Sequence, residues 1–523
     1  MPKDKMVKWN FRAYHITPTE KTNNHENIVI PEFKYRNKEK FIPLHSNEAS
    51  SKALYSVSNA LALSLDVTDP VMICPLGNVK ERCDVENQQL QVLKFYNNLK
   101  VKMTDILEAN SWLMGGLYRA GSNTFLKISS NKTNAQDFIQ EYVDPRLFEK
   151  LENESTEESG KPNNSDSRSS SENSNRKLTD QEKARIFDKF VTPQAIEVLN
   201  DDNKKLACFS IIRDTKDICN MSKMYIIVSI NHIIGDASTL FKIFNMLNSR
   251  TQVISLIVNR VYYQDALTRE TSLCLSNGRN FLSVFSKKLT RPFLMKSIAR
   301  NFFSGGKSAD YNTRVFKYKI NQEEVERIKN DYNSLETESK RQNNLLVSTN
   351  DVITHWFFSL NPKSDNVLMA LDLRNRLSII NENHAGNYLG HLLLRTEHLK
   401  TPVSIRKALV DACYKKPPGY MKVPNYSDFR KYPIGTTTNW STLYKPMSID
   451  GFKINHCMPL IDDGKLVRIY GFIKPLTEDM IIIYKCNNDD LAVYIWSGSN
   501  TMSTERLDKE KILGERIMSY TID

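Results

Sequence analysis

Apolar residues recur along the chain at two spacings, and the spacing changes back and forth in both halves. A spacing near 3.6 residues is typical of one buried helix face. It predicts helices over 51–65 and 87–110, from Ala237, over 321–332 and after Ser348. Short apolar runs predict strands at 124–128, 206–212, 224–230, 313–320, 367–371, 468–472, 480–484 and 491–496. Strands and helices that alternate in this way predict a mixed α/β fold.

The length of the chain predicts two domains. Its 523 residues exceed one ordinary domain and suit two of roughly 200–250 residues each. We expect an irregular N-terminal extension over 1–50, a first domain over 51–279, a basic crossover linker over 280–310 and a second domain over 311–523. Residues 151–176 are almost entirely polar, which predicts a disordered insertion in the first domain.

The composition excludes several classes of protein. Hydrophobic residues make up 40% and charged residues 25%, enough for a large core. No apolar run reaches the length of a membrane span, and none follows the first residues as in a secretory signal. The eight cysteines form no CxxC pair, which argues against a zinc ribbon or redox motif and suits a reducing compartment. The predicted location is cytoplasmic.

The strongest local motif for chemistry is Ile230-Asn-His232-Ile-Ile-Gly-Asp236. It places a histidine at the end of a predicted strand and an aspartate at a predicted helix start. Imidazole has the right basicity to take a proton from a hydroxyl near neutral pH. A plainer interpretation is a polar turn in which Asp236 only caps the helix. The five-residue pattern alone leaves both interpretations open.

Four further motifs occur in the same order along the chain as in one group of enzymes. They are 99–107 followed by Gly116–Arg119, 347–353 with Trp356, Asp372-Leu-Arg374-Asn-Arg376 followed by Gly386-Asn387, and Thr437-Thr438-Asn-Trp440. With the histidine motif, this ordered set resembles the acyl-CoA-dependent acyltransferases of the BAHD and alcohol acetyltransferase type. Those enzymes belong to the chloramphenicol acetyltransferase-like superfamily, which includes nonribosomal condensation domains.

The resemblance implies a fold and a reaction. The fold is two chloramphenicol acetyltransferase-like α/β domains, each a mixed sheet flanked by helices, with a channel between them. His232 is then the general base that deprotonates an alcohol or amine acceptor, while acyl-CoA is the co-substrate. Asp236 is structural and pairs with Arg374 or Arg376, and the sequence does not say which. Thr437, Thr438 and Trp440 lie near the acceptor pocket. No metal or other cofactor is implied, and a monomer is expected.

Departures from the family pattern keep two alternatives open. The D-F-G-W-G motif is not found, and Asp450-Gly-Phe452 matches it poorly. The first alternative is therefore a non-catalytic relative that keeps the fold for binding or interaction. The second is a carrier-protein-dependent condensation or wax-ester-type enzyme, although Asn231 replaces the first histidine of a double-histidine motif.

The charge balance favours an anionic partner without choosing one. There are 72 Lys and Arg against 60 Asp and Glu, which gives a net charge of +12. Lys287, Lys288 and Arg291 open a basic run over 287–307 whose charge suits the 3′-phosphate of CoA or an anionic membrane surface, although we favour a solvated linker face. No nucleic-acid-binding module or metal-ligand spacing is recognisable.

Overall fold

A computed structural model describes most of the chain. The described residues are 33–34, 40–44, 58–70, 85–120, 123–128, 133–148, 178–261, 313–334, 345–361, 366–414, 434–450, 452–461, 477–498 and 502–522. The insertion 151–176, the basic linker 280–310 and the predicted strand 468–472 lie outside them. No helix in these ranges is long and apolar enough to cross a membrane.

The described elements alternate between strands and helices, which confirms the mixed α/β class. The strands are β1 (Phe33–Lys34), β2 (Lys40–Pro43), β3 (Ser58–Pro70), β4 (Gly116–Ala120), β5 (Asn123–Ile128), β6 (Ile139–Val143), β7 (Ala207–Arg213), β8 (Lys223–Asn231), β9 (Thr313–Ile320), β10 (Asn366–Asp372), β11 (Leu389–Arg395), β12 (Ile434–Asn439), β13 (Phe452–Ile461), β14 (Thr477–Lys485), β15 (Leu491–Ser497) and β16 (Leu513–Ile522). The helices are α1 (Val85–Ala109), α2 (Asp180–Asp188), α3 (Ala195–Asn200), α4 (Ala237–Asn245), α5 (Gln322–Ser334), α6 (Thr349–Ser359), α7 (Thr396–Leu399), α8 (Pro402–Tyr414) and α9 (Thr504–Leu507).

The first large sheet has five strands in the order β13-β3-β8-β7-β6. Its central strand β8 is buried over most of its length because apolar side chains pack on both faces. Helix α1 packs on the same core through buried residues four apart, such as Leu99 and Met103. The helices predicted over 87–110 and from Ala237 are confirmed as α1 and α4.

One predicted helix is wrong. Residues 58–70, most of which fall in the helix predicted over 51–65, form strand β3 between β8 and β13. Leu61 and Leu65 have helical spacing, but Leu61, Leu63, Leu65 and Val67 also alternate with period two. Pairing with two neighbouring strands then decides the outcome, since short apolar patterns do not distinguish the two periods.

The second large sheet has seven strands in the order β11-β10-β12-β14-β15-β9-β16. Strand β12 runs parallel to β10 and β14, and the other neighbours are antiparallel. On one face Ile481 and Ile483 pack with Phe357 of α6. On the other, Ile482 and Tyr494 belong to the core of the five-stranded sheet. This sheet is therefore covered on both faces, by helices and by the first half of the chain.

Two strand pairings join segments that are far apart in the chain. Strand β13, in the segment predicted as the second domain, pairs antiparallel with β3 in the five-stranded sheet. The N-terminal extension, predicted to be irregular, contributes β1 and β2, and β2 pairs with β5 in a small sheet ordered β1-β2-β5-β4. Neither pairing was predicted, because hydrophobic periodicity does not reveal which distant strand is the partner of another.

Candidate functional site

The turn that carries His232 begins where β8 ends. The side-chain amide of Asn231 donates to the carbonyl of Pro193 at 2.6 Å, and its Oδ1 accepts from the N–H of Ile233 at 3.0 Å. The carbonyl of Asn231 accepts from the N–H of Ile234 at 3.0 Å. These bonds fix the backbone around His232. His232 itself is partly exposed.

Asp236 caps α4 and turns its buried carboxylate inwards. Oδ1 accepts from the backbone N–H of Thr239 at 2.9 Å and from its hydroxyl at 3.0 Å. Oδ2 accepts from the N–H of Tyr388, which lies in the other half of the chain, at 3.0 Å. Aspartate is favoured at a helix N-cap for the first of these contacts. The plainer interpretation of the motif is therefore correct for Asp236, but capping is only part of what it does.

Asp236 also forms a buried ion pair with Arg374. Nη1 of Arg374 lies 2.9 Å from Oδ2, and Nη2 lies 3.0 Å from Oδ1, which is a bidentate arrangement. The third guanidinium nitrogen, Nε, donates to the carbonyl of His384 at 2.9 Å. Arg376, the other arginine that the sequence offered, is exposed. The pair joins the histidine turn of one sheet to the loop after β10 of the other.

The ion pair stays charged at neutral pH. Burial alone would raise the pKa of the Asp236 carboxyl, but the charge and hydrogen bonds of Arg374, with the N–H groups of Thr239 and Tyr388, hold it below its usual value. Burial lowers the pKa of Arg374, and the charges of Asp236 and Asp372 raise it overall. Both carboxylate oxygens of Asp236 are thus occupied by hydrogen bonds within the protein.

The loop between β10 and β11 holds the histidine turn from the other side. Nδ2 of Asn387 donates to the carbonyl of His232 at 2.6 Å. The carbonyl of Gly386 accepts from the N–H of Asp236 at 3.3 Å and from Nη2 of Arg374 at 2.9 Å. Gly386 has φ +138°, a conformation that other residues rarely adopt. The Gly-Asn pair of the sequence motif is therefore in direct contact with the histidine turn.

Arg260 also holds the histidine turn in place, and none of the sequence motifs includes it. Its buried guanidinium donates from Nη2 to the carbonyl of Ile234 at 2.9 Å and from Nη1 to that of Ala385 at 2.8 Å. A Cβ on Gly386 would lie 2.9 Å from its Cζ. The only signal in the sequence is a lone arginine after the apolar residues 256–258, and it belongs to no motif.

The three residues predicted at the acceptor pocket do not share one environment. Thr437 is buried, and its hydroxyl lies 3.5 Å from that of Thr354 on α6, so it faces the helices. Thr438 points to the opposite face of β12, towards the first half of the chain. The Trp440 ring packs edge-on against Phe241 of α4, with the centroids 6.1 Å apart.

A second histidine lies near the first. His391 lies on β11, four residues after Asn387, and is largely buried. Burial, and then the nearby positive charge of protonated His232, lower the pKa of His391 to about 4. The sequence signal was a polar residue inside the apolar run Leu389–Leu394, and it was missed.

Other predicted ligands are placed as follows. Lys287, Lys288 and Arg291 lie outside the described residues. Within the described ranges, no group of three or more His, Cys, Asp or Glu residues is arranged to hold a metal ion. The site thus consists of the partly exposed residue His232 on a fixed turn, the Asp236 carboxylate paired with Arg374 behind it, and a second histidine nearby.

Comparison with known proteins extends these observations at the level of the fold. The sequence matches no family model, and no curated protein is detectably similar to it in sequence. The structure superposes on F. graminearum TRI101 complexed with coenzyme A and deoxynivalenol, with a TM-score of 0.50, 9% identity, and coverage of 92% of this chain and 100% of that chain.

Two further structures superpose with lower scores. They are TRI3 trichothecene 15-O-acetyltransferase from Fusarium sporotrichioides (TM-score 0.46, 10% identity, 92% of this chain and 95% of that chain) and the first condensation domain of the calcium-dependent antibiotic synthetase (TM-score 0.47, 10% identity, 90% and 93%). The superposition on TRI101 carries the conclusion, because it spans that whole chain. The chain therefore shares the mixed α/β fold of TRI101.

Proposed function

We propose that the protein is an acyl-CoA-dependent acyltransferase that moves an acyl group, such as acetyl, to an alcohol or amine with His232 as general base. One observation carries this proposal. The buried Asp236–Arg374 pair and the bond from Asn387 to the carbonyl of His232 hold the backbone of His232, a partly exposed residue, at the meeting point of the two sheets. The fold adds support, since TRI101, which shares it, was crystallised with coenzyme A.

The proposed reaction has two steps. His232 accepts the proton of the acceptor O–H or N–H while that oxygen or nitrogen attacks the thioester carbonyl carbon. The new bond forms, and the carbonyl electron pair moves onto oxygen to give an oxyanion. When the carbonyl re-forms, the C–S bond breaks, and the CoA thiolate takes the proton back from His232. The products are an ester or amide and free CoA, with the imidazole neutral again.

The surrounding residues support these steps without exchanging protons. Asp236 is committed to Arg374 and the α4 cap, so its proposed role is to fix the turn. Thr438 and Trp440 are proposed to line the acceptor side, on the face of β12 towards α4. Lys287, Lys288 and Arg291 are proposed to attract the CoA phosphates. In that case, replacing all three with glutamine raises the KM for acyl-CoA and leaves kcat unchanged.

The direct test is His232→Ala, assayed for free CoA thiol and acylated product with a panel of alcohols and amines. We expect loss of turnover by at least about a hundredfold, which is the usual contribution of a general base. His355→Gln is the matched control, because His355 lies on α6 and bonds to the carbonyl of Leu399. Undiminished turnover in a folded His232→Ala variant contradicts the proposal.

The choice of donor separates the alternatives. The same assay is run with acyl-CoA and with an acyl thioester on a carrier protein. Turnover from CoA supports the proposal, whereas turnover only from the carrier favours a condensation-type enzyme. Binding of acyl-CoA without transfer to any acceptor indicates a non-catalytic relative.

We also propose that the protein works as a monomer in the cytoplasm or another reducing compartment. Four of its cysteines, Cys208, Cys219, Cys457 and Cys486, are free thiols, which suits such a compartment. Light scattering on the purified protein tests the oligomeric state. Flotation with anionic vesicles tests whether the basic linker contacts membranes.

A further inference from the structure

The side chain of His391 on β11 lies on the face of the seven-stranded sheet that is directed towards the first half of the chain, which carries His232. Leu392 and Leu394 pack into the core beneath the helices, so His391, one position away, points to the opposite face. The register supports this direction. His391 pairs with Ala370 on β10. Met369, the neighbour of Ala370 on β10, pairs with Thr437 on β12, and Thr437 faces the helices. His391, Ala370 and Thr438 therefore share the face towards the first half of the chain.

The connection between the two histidines is short and rigid. Asn387 bonds to the carbonyl of His232, and the N–H of Tyr388 bonds to Asp236. From there β11 runs directly to His391, with its edge paired residue by residue to β10. The loop that holds the backbone of His232 thus leads directly into the strand that carries His391.

We infer that His391 is a second imidazole of the acyl-transfer site, and that its ring N–H donates a hydrogen bond to the thioester oxygen as that oxygen becomes an oxyanion. This inference rests on the proposed function and assigns the donor that the reaction needs. No proton is transferred in this contact. The bond strengthens when the carbonyl pair moves onto oxygen and weakens again when the C–S bond breaks.

A neutral donor suits this position better than a charged one. His232 becomes an imidazolium during the reaction, and a second positive ring nearby would oppose that step. His391 is kept neutral by its burial and by His232 itself. A neutral imidazole still presents one N–H donor, so it stabilises the oxyanion without repelling the protonated base.

The kinetic test compares two substitutions at this position. His391→Leu removes the donor, and we expect kcat to fall about 10²–10³-fold with the KM values little changed, as for loss of one oxyanion donor. His391→Asn restores an N–H donor, and we expect it to recover a large part of the loss. His355→Asn, a packed histidine on α6, serves as the control and should keep wild-type kcat. Equal losses in the Leu and Asn variants contradict a donor role.

A second measurement does not depend on activity. Histidine ring signals in the labelled full-length protein are followed by NMR, with His391→Asn used to assign the resonance. We expect the His391 signal to stay in its neutral form from about pH 8 to 5.5, and its pKa to rise in His232→Asn. Ordinary titration near pH 6.5, unaffected by His232→Asn, overturns the inference.

The outcomes also distinguish this inference from the proposed function. If His232→Ala abolishes acyl transfer while His391→Leu keeps the wild-type kcat, only the role of His391 fails. If no acyl transfer depends on His232, the proposed function fails, and the NMR experiment still decides whether the two imidazoles face each other.

Discussion

At the scale of single residues, the site depends on an aspartate that takes no part in proton transfer. The Asp236 carboxylate accepts hydrogen bonds from Arg374, Thr239 and Tyr388. Such a bidentate, fully satisfied pair fixes geometry more than it adds stability, since burying both charges is costly. Removing only one partner leaves the other charge buried, so the effect of a substitution is expected mainly in folding.

The corresponding prediction is that Asp236→Ala lowers the free energy of unfolding by about 3–5 kcal/mol. Urea unfolding followed by circular dichroism measures it. The control is Arg327→Gln, which breaks the surface pairs of the exposed Arg327 with Glu324 and Asp331 on α5 and should cost under about 1 kcal/mol. A variant of wild-type stability that has lost only turnover would instead identify Asp236 as a catalytic carboxylate.

The same pair gives a pH dependence with a definite sign. The pKa of Asp236 is lower in the folded protein than in the unfolded chain, so its contribution to stability is present above the unfolded value of about 3.9. It is lost as the pH falls through the lower, folded value. The stability difference between wild type and Asp236→Ala should therefore be constant from pH 8 to 5 and shrink in stronger acid. A difference that grows on acidification contradicts this assignment.

At the scale of elements, the loop between β10 and β11 is the most constrained part of the site. Gly386 combines a positive φ with contact to the Arg260 guanidinium, which itself holds the carbonyls of Ile234 and Ala385. A side chain at position 386 would clash with the Arg260 guanidinium, and Arg260 cannot move aside without losing its hydrogen bonds to both carbonyls.

Gly386→Ala is accordingly expected to destabilise the protein by about 1–3 kcal/mol and to lower kcat. Gly116→Ala is the matched control, because a Cβ there meets no atom within 4 Å. Thermal unfolding and the CoA-release assay measure both variants. If Gly386→Ala behaves like Gly116→Ala, the loop is not the constraint described here.

The sequence predicted the elements with one dominant period and missed those that depend on distant partners. Helix α1 and strand β8 were predicted because each has only one consistent pattern. Strand β3 has both periods, and pairing with β8 and β13 decides between them. Arg374 and Arg376 are two residues apart in one turn, on either side of Asn375 with φ 58°, and the turn leaves Arg374 buried and Arg376 exposed. Such a turn leaves no mark in hydrophobic periodicity.

At the scale of the whole molecule, the two large sheets share one core. The core of the five-stranded sheet includes Phe209 of β7 together with Tyr494 and Trp496 of β15. Strand β13 adds backbone pairing between residues near 60 and residues near 460. We therefore expect the two halves to unfold together, although the sequence suggested two separate domains.

A substitution in the crossing strand tests this cooperativity. Leu460 is buried in β13, whereas Asn455 on the same strand is exposed. Leu460→Glu buries an unpaired charge and is expected to lower the free energy of unfolding by about 3 kcal/mol or more, and Asn455→Glu by under about 0.5 kcal/mol. Denaturation is followed by tryptophan fluorescence and by far-ultraviolet circular dichroism. If the halves form one unit, both probes shift to the same lower midpoint in Leu460→Glu. Two separated transitions, only one of which moves, would show that the five-stranded and seven-stranded sheets unfold independently.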